Sequence, residues 1–329
     1  MSSSYRTSEL NWPRKLAVLW LVLLGIAATL ANLLPAPYLA PNLPNSNVPP
    51  LTPGHWLGTD PLGQDVAATL IYGARTALLV SLPAAIISAG LGAGIGLLVG
   101  YWGNTQLRFA RAYWLTVSCA VLAFTLVKAH GAGTMALWWP LVLSITAFLL
   151  GQLLLRFQLL RRTMAVPLDW LLQVAVALLA AIPRLLLVLA VAAAFKITFV
   201  SLVLLLAFTS WTQPARLVRA EVRRVGQLLY LEAARAAGLP PWQVMRYHVL
   251  PNVLQPVITG LPLSIATFIA LETTLSFLGV GLPPEVPSWG RLLALSRFAS
   301  SSWWLLLFPT ICLLATTLSL RQLLLISKR

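Results

Sequence analysis

Long apolar runs separated by short polar stretches dominate the chain. Eight runs approach or reach the length that a helix needs to cross a bilayer, and they cover residues 16–34, 77–101, 112–127, 135–155, 170–195, 197–211, 257–282 and 303–320. The third run is short for a full crossing, so a re-entrant pair with the fourth run is an alternative. The pattern predicts an all-α polytopic membrane protein with about eight transmembrane helices.

The most charged polar stretch, residues 229–255, predicts two short helices that meet at a break. The triplet Glu232-Ala233-Ala234 opens a run of strong helix formers, which Gly238 ends. A second helix is expected to begin at Pro241, because the first helical position needs no N–H group, and to stop before Pro251. By itself this pattern also fits an ordinary connection between two membrane spans.

Composition agrees with the membrane interpretation. Mean hydropathy is +0.83, and 59% of the residues are hydrophobic whereas 9% are charged, which excludes an ordinary soluble domain. The net charge of +15 comes from Lys and Arg in short groups between apolar runs, so it indicates a membrane surface as partner and no nucleic acid. With both termini in the cytoplasm, most of these residues and the stretch 229–255 are cytoplasmic.

The stretch between the first two apolar runs is expected to lie outside the cytoplasm. Pro and Asn are frequent over residues 35–53, which favours an extended segment. His55, Asp60 and Asp65 follow, at a spacing that favours turns and a helix cap over metal ligands. Asp65 is predicted to cap a short helix that runs towards Tyr72.

The chain lacks the motif that would let it hydrolyse ATP. None of its four lysines follows a glycine, as a P-loop requires, and no Gly-x-Ser-x-Gly or His-Glu-x-x-His motif occurs. Gly92, Gly96 and Gly100 recur at every fourth position of an apolar run, and they predict a face on which another helix packs closely. No metal or cofactor site is predicted, since Cys119 and Cys312 both lie in apolar runs.

Four stretches, in the same order along the chain, resemble one family. Glu232-Ala233-Ala234, then Gly238, then Leu250-Pro251 is similar to the EAA loop of ABC importer permeases. The resemblance is carried further by HWLGTDPLGQDV with the following IYGARTALLVSL, by the loop YLEAARAAGLPPWQVMRYHVLPNVLQPVI, and by LETTLSFLGVGLPPEVPSWGRLL. Together they resemble the C-type inner-membrane permease subunit of the dipeptide, oligopeptide and nickel importers.

This resemblance implies an architecture and a set of partners. The implied fold is a type I ABC importer permease, with an N-terminal anchor and periplasmic segment over residues 1–75 and a permease domain over 76–329. The family has six spans, so a helical pair at about 104–166 is interpreted as an insertion, and the coupling loop covers 216–256. The implied partners are a B-type permease subunit, two ABC ATPases that bind ATP and Mg, and an extracytoplasmic substrate-binding protein, in a prokaryotic inner membrane.

The resemblance also implies that the loop docks into the ATPases. In that role Glu232, Ala233 and Ala234 belong to the helix that seats in an ATPase groove, and Gly238 allows the chain to leave that helix sharply. Leu250-Pro251 closes the motif. The transported solute would be a peptide or a similar small solute.

Two ionisable residues lie inside predicted spans, where charge is costly. Arg184 and Glu272 are each 15 positions into an outward-running helix, so both are expected at similar depth. We hypothesise that they form an ion pair; alternatively, each faces an aqueous pathway on its own.

Two other classes of protein remain open at this point. One is a membrane-embedded enzyme that uses Asp60, Asp65 and His55 for acid–base chemistry, which the purified chain would reveal by turning over a substrate alone. The other is a permease relative whose inserted helices recruit a further protein, as an assembly factor does. Deletion of residues 106–162 without loss of transport would favour that role.

Overall fold

The computed structural model describes residues 12–31, 40–105, 107–129, 139–154, 163–229, 236–240, 243–299 and 301–327. The chain divides into two compact units, one formed by residues 1–97 together with 177–329 and the other by residues 98–176. Glu232, Ala233 and Ala234, and the helix start predicted at Pro241, lie outside the described residues.

Helices make up the larger unit. Those that lie in it wholly or in part are α1 (Trp12–Leu30), α2 (Val66–Trp102), α5 (Leu168–Ala181), α6 (Arg184–Ala194), α7 (Phe199–Ser210), α8 (Thr212–Gly226), α9 (Leu250–Phe277), α10 (Trp289–Leu295) and α11 (Trp304–Ser327). A 3₁₀ turn covers Leu43–Asn45, and a π-helical segment, Val244–Val249, leads directly into α9. α1 packs on α11, and α9 packs on α8, α10 and α11.

The smaller unit is a helical hairpin with a two-stranded base. Strand β1 (Arg108–Ala110) leads into α3 (Arg111–Ala129), and α4 (Trp139–Leu154) is followed by strand β2 (Thr163–Ala165). The strands pair antiparallel, with Phe109 opposite Met164. Tyr113 stacks on Phe148, and its hydroxyl accepts a hydrogen bond from Gln152, so the two helices contact through side chains as well as through their ends. The unit contains the pair predicted as an insertion.

The predicted all-α membrane class is confirmed. Within the described ranges, four helices, α1, α2, α9 and α11, are long and apolar enough to cross a membrane, or five if α5 and α6 form one broken span. The total of eight spans stays a prediction. The run 170–195 was expected as one helix, and it is divided before Arg184 because Pro183 cannot donate the hydrogen bond that would continue α5.

A second boundary differs from the prediction. We expected the helix before Pro251 to stop there, but helical backbone continues through Leu250 into α9. The π-helical segment ends where α9 begins, so Pro251 occupies the first turn of the new helix, where its missing N–H group breaks no hydrogen bond.

Two clusters of buried apolar side chains form the core of the larger unit. The first joins α1, α2, α9, α10 and α11 and includes Leu70, Trp289 and Trp304. The second joins α2, α6, α7 and α9 and includes Leu206 and Phe268. α9 takes part in both clusters, so it is the central helix of this unit.

Residues 40–65 form an ordered segment that is held to α2 and α11. Asp65 caps α2 as predicted, through Oδ1, which accepts the N–H of Ala68 at 2.9 Å, and its Oδ2 lies 2.9 Å from His55 Nδ1. The capped helix is not short, because α2 continues to Trp102. The indole of Trp304 donates to the carbonyl of Thr59, which ties the segment to the start of α11.

Candidate functional site

A groove of about 740 Å³ lies in the larger unit, between α2, α6, α7, α8 and α9. One wall is the stretch of α9 from Pro256 to Phe268, which is mostly apolar and has its hydroxyl groups turned back to the helix, as Thr267 donates to Leu263 O at 2.8 Å. The opposite wall carries Arg184, Ser210 and Gln213. A groove of this size accommodates a small organic solute.

The polar wall forms where two helices are interrupted. Arg184 is the first residue of α6, and its N-cap, Pro183, offers no side chain to the free N–H groups. Ser210 is the last residue of α7, and Gln213 and Arg216 lie in the first turns of α8. A cavity of about 200 Å³ beside the groove is lined by Arg184, Gln213 and Arg216 as well.

Several of these polar groups have no partner among the described residues. The Oγ atom of Ser210 is buried and makes no hydrogen bond there, although the neighbouring Thr209 donates to Leu205 O at 2.8 Å. Arg184 and Arg216 form no ion pair with any described acidic residue, and the lining of the groove contains none. The groove therefore carries positive charge that the described part of the chain leaves uncompensated.

Helix α8 forms the end of the groove and is seated on the predicted glycine face of α2. Its buried face repeats at helical spacing, with Ala215, Val218, Val222 and Val225. A Cβ atom at Gly92 would lie 2.5 Å from the carbonyl oxygen of Trp211, and one at Gly96 would lie 2.5 Å from that of Ala215. Two of the predicted glycines thus allow this close approach, while Gly100, further along α2, is half-buried.

Only part of the predicted coupling loop is described. Gly238 is exposed and has a φ of +79°, a left-handed conformation that favours glycine, and a Cβ atom there would meet nothing within 4 Å. Leu250 and Pro251 begin α9, and Pro251 is exposed. The loop's second half is therefore continuous with the central helix of the unit, which also forms one wall of the groove.

Glu272 lies near the C-terminal end of α9, beyond the residues that line the groove. It is 1% exposed, and its carboxylate accepts hydrogen bonds from Ser276 Oγ at 2.9 Å and from Thr273 Oγ1 at 3.4 Å. Arg184 instead lines the groove and is not within 4 Å of that carboxylate, so the hypothesised pair does not form in this structure. The expectation of similar depth did not bring the side chains together, because the α9 residues that line the groove end at Phe268 and Glu272 lies beyond them.

Sequence reasoning missed three residues of the groove: Ser210, Gln213 and Arg216. A signal was present, since Ser210-Trp211-Thr212-Gln213 interrupts an apolar run before the basic group begins. We predicted that the run 197–211 ends at Trp211 and that the coupling loop begins at residue 216. Neither interpretation says that these side chains face a cavity.

Comparison with known families gives one match over half of the chain. The family described as the inner membrane component of binding-protein-dependent transport systems matches residues 159–329. The matched range contains α6 to α11, and therefore the polar wall of the groove, its α9 wall and the loop before α9.

Individual relatives match over a longer part of the chain. The di/tripeptide transport system permease protein DppC of Pseudomonas aeruginosa is 28% identical over 297 residues, which is 87% of this chain and 78% of the relative. The dipeptide transport system permease protein DppC of Alkalihalophilus pseudofirmus is 25% identical over 90% of this chain and 78% of its own length. The oligopeptide transport system permease protein OppC of Mycobacterium bovis is 27% identical, with coverages of 87% and 80%.

Proposed function

The chain belongs to the family of inner membrane components of binding-protein-dependent transport systems, and from this we propose that it forms half of the pathway by which an ATP-driven importer carries peptides. The relatives' names supply the substrate class, because they are permease proteins of dipeptide, di/tripeptide and oligopeptide systems. The chain is a membrane-embedded transport subunit and not an enzyme. His55, Asp60 and Asp65, the acid–base set of the enzyme alternative, bond to each other or to nearby backbone.

The observation that carries the proposal is the groove. Its polar and apolar walls come from helices of one unit, and α9 connects its wall to the loop through Leu250. Movement of the loop would therefore move a wall of the groove, which is the coupling that alternating access requires. A homologous permease subunit would supply the other half of the pathway.

The partners and their energy source form part of the proposal. A permease of this family works with a second permease, with ATPases and with a substrate-binding protein, and we assign these here to a B-type permease, two ABC ATPases that bind ATP and Mg, and an extracytoplasmic peptide-binding protein. Both termini and the loop are assigned to the cytoplasmic side. Glu232, Ala233 and Ala234 are assigned to the helix that docks into an ATPase.

Reconstitution tests this function directly. The chain is coexpressed with its partner subunits, placed in proteoliposomes, and supplied with binding protein, ATP and a radiolabelled dipeptide. We expect accumulation of the dipeptide that requires ATP and this chain. Accumulation that is equal without ATP, or no accumulation of any di- or oligopeptide, would overturn the proposal.

The loop offers a matched pair of glycines with which to test coupling. Gly238→Ala places a Cβ atom in open space but forces a left-handed backbone, at a cost of about 1–2 kcal/mol. Gly226→Ala also meets nothing within 4 Å, and its glycine does not have that backbone conformation, so it serves as control. We expect the number of dipeptides transported per ATP hydrolysed to fall in Gly238→Ala alone. Unchanged coupling in that variant would contradict the role of Gly238 as a joint.

A further inference from the structure

We propose that the polar wall of the groove is an anion site that binds the C-terminal carboxylate of the transported peptide, with Arg184, Ser210 and Gln213 as its ligands and Arg216 beside them. This inference rests on the proposed function, because it names the chemical group of the substrate that the groove recognises. It adds a binding site at Arg184, Ser210 and Gln213, residues for which the family resemblance implies no role.

The charge of the groove favours an anionic ligand. Arg184 is half-buried, and burial of a guanidinium away from water is unfavourable unless an anion or several acceptors compensate for it. No acidic side chain occurs in the described lining of the groove, and the cavity next to it, which shares Arg184 and Arg216, has none either. An anion supplied by a ligand would compensate the half-buried charge of Arg184.

The hydroxyl of Ser210 is a hydrogen-bond donor that the described residues leave unused. Ser210 Oγ is buried and unpartnered within the described ranges, yet Ser210 lines the groove. A serine inside an apolar helix ordinarily bonds to the carbonyl four residues earlier, as Thr209 does in the same turn of α7. A buried hydroxyl without a partner costs free energy, which a ligand oxygen would recover.

The geometry of the helix ends at the groove also favours an anion. α6 begins at Arg184 with no side-chain cap, so its first N–H groups and the positive end of its dipole lie next to the backbone of Arg184, a residue that lines the groove. Gln213, in the first turn of α8, adds a side-chain amide to the same wall of the groove. Planar guanidinium forks suit carboxylates, and the apolar α9 wall opposite suits the side chains of a short peptide.

The test compares a peptide that has the carboxylate with one that lacks it. Uptake of Ala-Ala and of Ala-Ala amide is measured with the full reconstituted complex, for wild type, Arg184→Gln, Arg184→Lys and Ser210→Ala. Arg321→Gln serves as the matched control, because Arg321 is exposed in α11 and lies away from the groove. The uptake by each variant is divided by the uptake by wild type for the same peptide, so the selectivity of the binding protein cancels.

We expect Arg184→Gln to lower uptake of Ala-Ala about tenfold or more, and uptake of the amide less than about twofold, since only the acid loses a charge-assisted hydrogen bond. Arg184→Lys should give an intermediate loss, Ser210→Ala a loss of about threefold for the acid alone, and Arg321→Gln no change. Equal losses for acid and amide, or no loss for either, would overturn the site.

A binding measurement on the purified chain separates this site from the transport function. Saturation-transfer NMR is recorded with Ala-Ala and with its amide, and we expect transfer to the Ala-Ala methyl groups that is lost in Arg184→Gln and kept in Arg321→Gln. If this pattern is observed but the complex transports no peptide, the result contradicts the transport function and supports the anion site. Transfer that does not depend on Arg184 overturns the site.

The same chemistry could be satisfied by a phosphate of an anionic lipid. The purified wild type and Arg184→Gln are therefore also compared for bound phosphatidylglycerol by mass spectrometry. An amount of lipid that depends on Arg184, together with no saturation transfer to Ala-Ala, would assign the site to a lipid headgroup and overturn the carboxylate proposal.

Discussion

Two stretches of α9 differ in whether the buried polar groups beside them have hydrogen-bond partners. Near its C-terminal end, Thr273 and Ser276 each donate a hydrogen bond to Glu272, and α10 approaches so closely that a Cβ atom at Gly290 would clash with the carbonyl oxygen of Thr273. We call this packed region the α9–α10 hub. Along the groove, by contrast, Ser210 and Arg184 belong to the lining and have no partner among the described residues.

The difference separates structural polar groups from groups available to a ligand. In an apolar environment, each unpartnered donor or charge reduces stability, so a fold retains it only where something else binds it or where function requires it. Burial alone would have placed Glu272 and Ser210 in one class, because both are nearly inaccessible. Hydrogen bonding distinguishes them, because Glu272 accepts two hydrogen bonds whereas the hydroxyl of Ser210 makes none among the described residues.

The largest effect should come from closing the space between α9 and α10. Gly290→Ala adds a Cβ atom against the backbone of Thr273, and we expect it to lower the free energy of unfolding by about 2–3 kcal/mol. Gly260→Ala, on the groove side of α9, meets nothing within 4 Å and should stabilise the helix by up to about 1 kcal/mol. Titration of the purified chain with denaturing detergent measures both, and similar losses would contradict the distinction between hub and groove.

A smaller effect is expected from removing one hydroxyl in the α9–α10 hub and one in the groove. Ser276→Ala deletes the 2.9 Å hydrogen bond to Glu272 and should cost about 1–2 kcal/mol in the same measurement. Ser210→Ala removes an oxygen that has no described partner, so we expect a change below about 0.5 kcal/mol. If Ser210→Ala destabilised the chain as much as Ser276→Ala, the hydroxyl of Ser210 would be structural.

The smallest effect concerns Asp60, whose two oxygens show both behaviours in one side chain. Oδ1 accepts the N–H groups of Leu62 and Gln64 at 2.9 and 2.8 Å, whereas Oδ2 is buried without a described partner. Burial raises the pKa of Asp60 above 3.8, against the opposing effects of these two N–H groups and of the Arg291 charge.

A raised pKa in the folded state means that the folded chain binds the proton more tightly than the unfolded chain does. The contribution of Asp60 to the free energy of unfolding should therefore fall as pH rises from 3.8 through the folded-state pKa. In Asp60→Asn this dependence disappears, so the wild-type curve minus the variant curve should decline over that interval. A difference that rises with pH would show that the N–H groups and Arg291 outweigh burial.

Much of the fold followed from the apolar pattern. Most residues of the eight predicted runs lie on described helices, with the run 170–195 divided between α5 and α6. The Asp65 cap and the close contact at Gly92 and Gly96 were expected from local residue types. α10 was missed, because its seven residues are too few to show a period in the sequence. The boundary at Pro251 was wrong because a change from π- to α-helix can absorb a proline, and no residue pattern announces that change.

The groove could not be predicted from the pattern of residues along the chain. Ser88 and Thr267, which both line it, are 179 positions apart in the numbering, and helical depth gave the wrong neighbour for Arg184. Sequence separation and depth fix neither the rotation of a helix about its axis nor the side on which a neighbour packs. Those depend on how buried surfaces fit together.

The sequence by itself determined the membrane class, the helical runs and the family, because hydrophobic length and short local motifs are written in consecutive residues. Tertiary structure alone decided which polar side chains are satisfied. Glu272 found Ser276 one helical turn away, whereas Arg184 and Ser210 were brought to one groove from separate helices. A hydrogen bond depends on distances of about 3 Å, and only packing sets distances between residues far apart in the chain.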